Sequence, residues 1–204
     1  MQSVCAAERR FQSVAAISGM KIGLVSDTHG YFDSRLISLL SGVDRILHAG
    51  DVGSQAVLDE LESIAPVQAV RGNVDTSEFG LPLSLVIMLE GVQVEMLHVL
   101  PAPQTEVEAW SMGNFSAKAG AESRERFRQR FEPATRMVIF GHTHQPALFE
   151  LEQTLFVNPG SAGKKRFSLP RCCGLMQISS GKGDVKIFSL EDYNKEVVIG
   201  AIRF

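Results

Sequence analysis

The stretch KIGLVSDTHG (residues 21–30) decides the fold, because a strand-forming run, KIGLVS, leads straight into Asp27, His29 and Gly30. An apolar, β-branched run closed by a polar turn with glycine reads as a buried strand that delivers side chains at its carboxyl end. The pattern then repeats. A helical segment from about Phe32 to Leu40 precedes RILHA (45–49), which is followed by Gly50-Asp51. A second helical segment, from about Ser54 to Ile64, precedes VQAVRG (67–72), which is followed by Asn73. This is a β-α-β-α-β order, so parallel pairing in an α/β fold is expected.

Further along, the spacing becomes that of hairpins. LSLVIML (83–89) and VQVEMLHV (92–99) are separated by Glu90-Gly91. GLMQIS (174–179) and DVKIFSL (184–190) are separated by Ser180-Gly181-Lys182-Gly183. Both linkers favour tight turns and antiparallel neighbours. A mixed sheet, or two packed sheets, is implied. Between the hairpins, residues 117–132 read as a helix whose Phe127 and Phe131 face the core, with the interleaved arginines and glutamates forming a solvated face. The stretch after Pro101 and Pro103 reads as loop-rich, with Trp110 and Phe115 offering a lid or a dimer contact.

Composition sets limits on function. The 204 residues carry a formal net charge of −3, which gives no global basic field for nucleic acid or an anionic membrane, so no nucleic-acid or membrane partner is expected. No apolar run is long enough to span a bilayer. Three cysteines, with Cys172 and Cys173 adjacent, form neither a disulfide framework nor a zinc signature, and a reducing, cytoplasmic setting is expected. Residues 1–20 differ in texture from the rest and read as a loose extension, with Met20 an alternative start. Residues 21–204 read as one domain.

Asp, Asn and His gather just past the strand ends. Asp27 and His29 follow the first strand, Asp51 the second and Asn73 the third, while His98 closes VQVEML and His142 and His144 follow MVIF. Ligands of α/β sheets bind beyond the carboxyl ends of the parallel strands, so these side chains are expected to converge. In Asp27-Thr28-His29 and in His142-Thr143-His144 the outer residues are two apart, which in extended backbone places both on one side. Imidazole and carboxylate without thiolate suit Mn, Fe, Zn, Ni or Co. Seven candidate ligands exceed what one tetrahedral ion uses, so a binuclear centre accounts for them better.

The blocks Asp27-Thr28-His29, Gly50-Asp51, Gly72-Asn73-Val74-Asp75, His98 and Gly141-His142-Thr143-His144, with the turn Asn158-Pro159-Gly160-Ser161, resemble the calcineurin-like metallophosphoesterase superfamily, and most of all its small single-domain phosphodiesterase branch. That resemblance implies a four-layer α/β/β/α sandwich of two mixed β-sheets flanked by helices. It implies two divalent ions, manganese first, with Ni, Zn, Fe, Co or Mg as alternatives. Asp27, His29 and His144 would hold one ion and Asn73, His98 and His142 the other, with Asp51 bridging. Asp51, Asn73 and His98 would be catalytic, and His48 and Asp75 would support the ligands. A metal-bridging hydroxide would attack the phosphorus of a small phosphate ester in line, a diester in preference to a monoester. A homodimer is admitted at the level of the family.

Two residues depart from the superfamily pattern: Val74 stands where many members carry a His that assists the leaving group, and Val99 follows His98 where Gly is usual. Esters with good leaving groups should therefore be preferred. Lys164, Lys165, Arg166 and Arg171 read as an exposed basic loop, with contact to a substrate phosphate as the other reading. The rival functional reading is a non-catalytic interaction scaffold, since the superfamily includes a retromer subunit with a degraded metal site. Retention of every ligand here argues for an enzyme.

Overall fold

The computed structural model describes residues 19–111, 121–166, 168–191 and 197–204. The first three strands are β1 (Met20–Val25), β2 (Arg45–His48) and β3 (Val67–Ala69), joined by α1 (Arg35–Leu39) and α2 (Gln55–Glu62). They pair in parallel, as their order requires. Met20, assigned above to the extension, is the first residue of β1 and pairs with Ile178; residues 1–18 lie outside the described residues. Helix α1 is shorter than expected because the Asp33 carboxylate accepts the Arg35 N–H at 2.9 Å, an Asx turn that delays helical backbone.

Next come β4 (Ser84–Leu89) and β5 (Val92–Leu97), which pair antiparallel across the Glu90-Gly91 turn, both residues at positive φ. Then follow α3 (Gln104–Ser111), α4 (Ala121–Arg130), β6 (Thr135–Ile139), β7 (Ala147–Leu151), β8 (Thr154–Asn158), β9 (Cys172–Ser179), β10 (Lys182–Ser189) and β11 (Val197–Arg203). The order β11-β10-β9-β1-β2-β3 makes one mixed sheet and β4-β5-β6-β8-β7 the other. Strands β5, β6 and β8 run parallel to one another.

Strand alternation builds the layers. Ile22, Leu24 and Leu47 point inward to meet Val94, Met96, Met137, Ile139 and Val157 of the facing sheet. On the outer face of the first sheet, Ile46 and Cys173 pack against Leu36 and Leu40 of the α1 region and Leu58 and Leu61 of α2. On the outer face of the second, Val138, Phe149 and Phe156 pack against Val107 of α3, Phe127 of α4 and Phe131 just beyond its end. The result is two mixed β-sheets flanked by helices, in the layer order expected, with Phe127 and Phe131 facing the core.

Two expectations are corrected. The stretch after Pro103 is a helix, α3: the Pro103 carbonyl accepts the N–H groups of Glu106 and Val107, so proline starts the helix instead of breaking it. Phe115 and the Trp110 side chain lie outside the described residues. The strand read as GLMQIS (174–179) starts two residues earlier: Cys172 and Cys173 open β9, both thiols buried. Among the described residues no helix is long and apolar enough to cross a membrane.

Candidate metal centre

Every parallel strand ends at the same edge of the sandwich, and there the sequence blocks meet. Asp27 and His29 leave β1, Asp51 leaves β2, Asn73 follows β3, His98 closes β5, and His142 and His144 leave β6. The loops are sewn together by backbone. Asp27, His29 and Gly30 donate their N–H groups to the carbonyls of Gly50, Asp51 and Val52 at 3.0, 2.9 and 2.7 Å. The His142 N–H reaches both oxygens of Asp27, at 3.2 and 3.1 Å.

Asp27, His29 and His144 offer ligand atoms that lie within 4.8 Å of one another, and so do Asp27, Asp51 and His98. Asp51 Oδ2 is 3.6 Å from His29 Nε2 and 3.3 Å from His98 Nε2, which places that carboxylate between the two groups. His29 and His144 bring their Nε2 atoms to 3.0 Å, and the His98 and His142 ring centroids are 5.3 Å apart. Asn73 is exposed at the rim, and its neighbour Val74 donates N–H to Asp51 Oδ1 at 2.9 Å.

The route to convergence differs from the expected one. Asp27, His29, Asp51, His142 and His144 all have φ between 49° and 70°, so the two-apart pairs do not lie on extended backbone. They sit in left-handed turns, which cost non-glycine residues energy and persist only where surrounding contacts enforce them, as they do at functional sites. The tight loops also require glycine: a Cβ at Gly72 would overlap Asp51, and one at Gly141 would overlap Ser26.

One nitrogen tests the fit to a cation. His98 Nδ1 lies 2.8 Å from the Ala49 carbonyl, which can only accept, so Nδ1 carries the proton and Nε2 presents a lone pair in the neutral ring. That buried Nε2 has no hydrogen-bond partner, yet it faces Asp51 at 3.3 Å and Asp27 at 4.0 Å. A lone pair and two carboxylates pointing at one space demand positive charge there. The pKa of His98 reflects this demand: burial lowers it, but Asp51 and Asp27 outweigh burial and raise it. At Asp51, burial pushes upward, while His98, the Val74 N–H and His29 hold the carboxyl well below the usual range. His29 is lowered by burial and by Arg166, and His142 by burial and by His98, which favours neutral imidazoles able to ligate. A proton on His98 or divalent cations satisfy the same demand, and the donor set fits the latter.

His48 and Asp75 support the loops. Gly50 N–H donates to His48 Nδ1 at 3.2 Å, so Nε2 carries the proton and donates to Thr28 Oγ1 at 2.9 Å, whose own hydroxyl donates to the Val52 carbonyl at 3.0 Å. The pKa of His48 is lowered from 6.5 to about 4, chiefly by burial. Between those values the unfolded chain binds the proton that the folded one refuses, so stability rises with pH through the window and is lost as pH falls, by about 3 kcal/mol at full effect. Denaturant unfolding in chelator from pH 7.5 to 4.5 should show this loss in the wild type and a shallower slope in His48→Gln. Equal slopes would reject a neutral, load-carrying His48.

The sequence reading assigned no role to Asn158 and Ser161. Asn158 Nδ2 donates to the Gly141 carbonyl at 2.9 Å and to Thr143 Oγ1 at 3.1 Å, holding the loop of His142 and His144. Ser161 Oγ donates to the Asp27 carbonyl at 2.9 Å. Their only sequence signal is the NPGS turn. Of the basic residues beyond it, Arg171 is tied to Asp33 at 2.6 Å and Lys165 to Glu191 at 3.4 Å, while Lys164 Nζ stands 5.8 Å from the Tyr31 ring centroid.

Comparison with known proteins agrees with this geometry. A family model described as the calcineurin-like phosphoesterase superfamily domain matches residues 20–181. A probable metallophosphoesterase of Methanothermobacter thermautotrophicus is 31% identical over 175 residues, covering 82% of this chain and 91% of the relative. A phosphodiesterase of Methanocaldococcus jannaschii is 28% identical, covering 77% of this chain and 87% of its own length. Among solved structures, vacuolar protein sorting 29 from Cryptosporidium parvum superposes with a TM-score of 0.69 at 22% identity, over 91% of this chain and 98% of that one.

Proposed function

The chain belongs to the calcineurin-like phosphoesterase superfamily, and from that premise we propose that it is a binuclear phosphodiesterase acting on a small phosphate ester. The observation that carries this reading is the buried His98 Nε2, without a hydrogen-bond partner and aimed at Asp27 and Asp51. Asp27, His29 and His144 would hold one divalent ion and Asn73, His98 and His142 the other, with Asp51 shared between them. Manganese is the first choice. When bound, such ions make hydroxide available from water near neutral pH and draw charge from the phosphoryl oxygens.

The residues themselves do the positioning. The Ala49 carbonyl fixes the His98 ring with its lone pair turned inward. The Val74 N–H holds the Asp51 carboxylate in place. Neither Val74 nor Val99, exposed beside the site, can give a proton to a leaving group, so esters of acidic alcohols should turn over fastest. The setting we propose is cytoplasmic, consistent with Cys172 and Cys173 standing as buried free thiols whose pKa burial pushes up to about 12.

The deciding experiment is hydrolysis of bis(p-nitrophenyl) phosphate and p-nitrophenyl phosphate after chelation and readdition of Mn, Ni, Zn or Mg. Turnover that returns with metal and favours the diester is expected. Absence of turnover with every metal would instead support a non-catalytic interaction scaffold on the same fold.

A further inference from the structure

Beside the metal centre, on the side of His142, lies a small apolar cleft. Val99, Leu100, Ala102, Val107 and Phe140 form most of its lining, around a cavity of about 50 Å³, and Gln104, His142 and Thr143 add polar side chains. Its position follows from the topology. Val99 directly follows His98 at the end of β5, Phe140 directly follows β6 on the way to His142, and Val107 lies on α3. Val99 is 45% exposed at the mouth, while Leu100, Val107 and Phe140 form a buried floor. A water needs about 10 to 15 Å³ of such space, so the cavity accommodates a group of about three to four heavy atoms.

The opposite side of the centre has another character. There the chain at Gly163 packs against the backbone of Asp27 and Thr28, and the next residue, Lys164, reaches over Tyr31. The charge of Arg166 is felt at His29. The mouth thus changes from cationic beside His29 to apolar beside His142. A phosphate monoester has nothing to place on the apolar side, whereas a diester has a second substituent that must go somewhere.

We propose that this cleft is a subsite for the non-departing substituent of a phosphodiester, and that it takes a compact aliphatic group of three to four carbons. This inference rests on the phosphodiesterase reading and deepens it. Gln104 and Thr143 supply polar atoms to the lining, but the buried floor of Leu100, Val107 and Phe140 offers none, so a sugar seated on it would leave hydroxyls unpaired. An aryl ring, such as the retained one of bis(p-nitrophenyl) phosphate, exceeds the cavity and would stay at its mouth.

The test is the series of methyl, ethyl, propyl and butyl p-nitrophenyl phosphates on the metal-loaded protein. The expected result is a rise in kcat/KM of about fourfold per methylene up to propyl, then a plateau. Ala102→Phe, which fills the cleft, and Val99→Asp, which charges its exposed mouth, should each flatten the slope of the series. Calorimetric titration with dimethyl and dipropyl phosphate supplies a readout independent of turnover, the dipropyl ester binding more than tenfold tighter. A flat series with active enzyme, or a slope unchanged in both variants, overturns the subsite while leaving the phosphodiesterase reading intact. Loss of turnover on every ester with dipropyl phosphate still preferred overturns the catalytic reading and keeps the apolar site.

Discussion

Asp51→Asn is expected to lower metal-dependent phosphoesterase turnover by a factor on the order of 10³, since one preorganised charged group at such a centre typically contributes that much. The substitution is nearly isosteric and keeps an oxygen able to accept the Val74 N–H at 2.9 Å, so the loop should hold its place. What disappears is the negative charge lying 3.6 Å from His29 and 3.3 Å from His98. If that carboxylate is shared by two ions, affinity for divalent metal must fall as well, by more than about 100-fold, and excess metal should not restore kcat. Calorimetry and steady-state kinetics read these quantities separately, and circular dichroism in chelator should show cooperative unfolding as in the wild type. Wild-type turnover with unaltered metal affinity would remove Asp51 from the bridging position.

Asp75→Ala should act differently, because the Asp75 carboxylate faces backbone. It accepts the N–H groups of Val52 at 3.2 Å, Gly53 at 2.8 Å and Gly72 at 2.8 Å. These donors flank Asp51 on one loop and Asn73 on the other, so a single buried side chain clamps the two loops together. Its removal leaves the donors to whatever water can reach them, at a cost of about 2 to 4 kcal/mol in folding stability. The metal-free variant should therefore unfold at clearly lower denaturant. Because Asp75 would ligate nothing, apparent metal affinity should fall about 10- to 100-fold while saturating metal recovers most of kcat. That recovery separates it from Asp51→Asn. A kcat that metal cannot restore would place Asp75 at the chemistry instead of behind it.

The elements that sequence left unread share a physical feature. The hairpin of β7 and β8 turns on Glu152-Gln153, both at positive φ, where Gly or Asn is the usual signal, so nothing in the residue types announced the turn. Helix α3 was concealed by Pro101 and Pro103, whose meaning depends on whether a helix begins or ends there. Strand β11 pairs with β10 at the sheet edge, and this long-range pairing is not expressed in its local pattern. Asn158 and Ser161 do their positioning through contacts 15 to 17 and 134 residues away in the chain, which the NPGS turn could hint at but not specify.

By itself the sequence determined the α/β class, the strand-end placement of Asp27, His29, Asp51, Asn73, His98, His142 and His144, and a resemblance that the family model bears out. Periodicity and strand ends are local properties, written in consecutive residues. Only the tertiary structure decided how those side chains face one another. Their left-handed turns, the tautomers fixed by the Ala49 carbonyl and the Gly50 N–H, and the Asp75 clamp all arise from groups brought together across the sandwich. A backbone conformation that an isolated segment would avoid is stable here because packing and hydrogen bonds from other strands hold it, and no run of neighbouring residues encodes that balance.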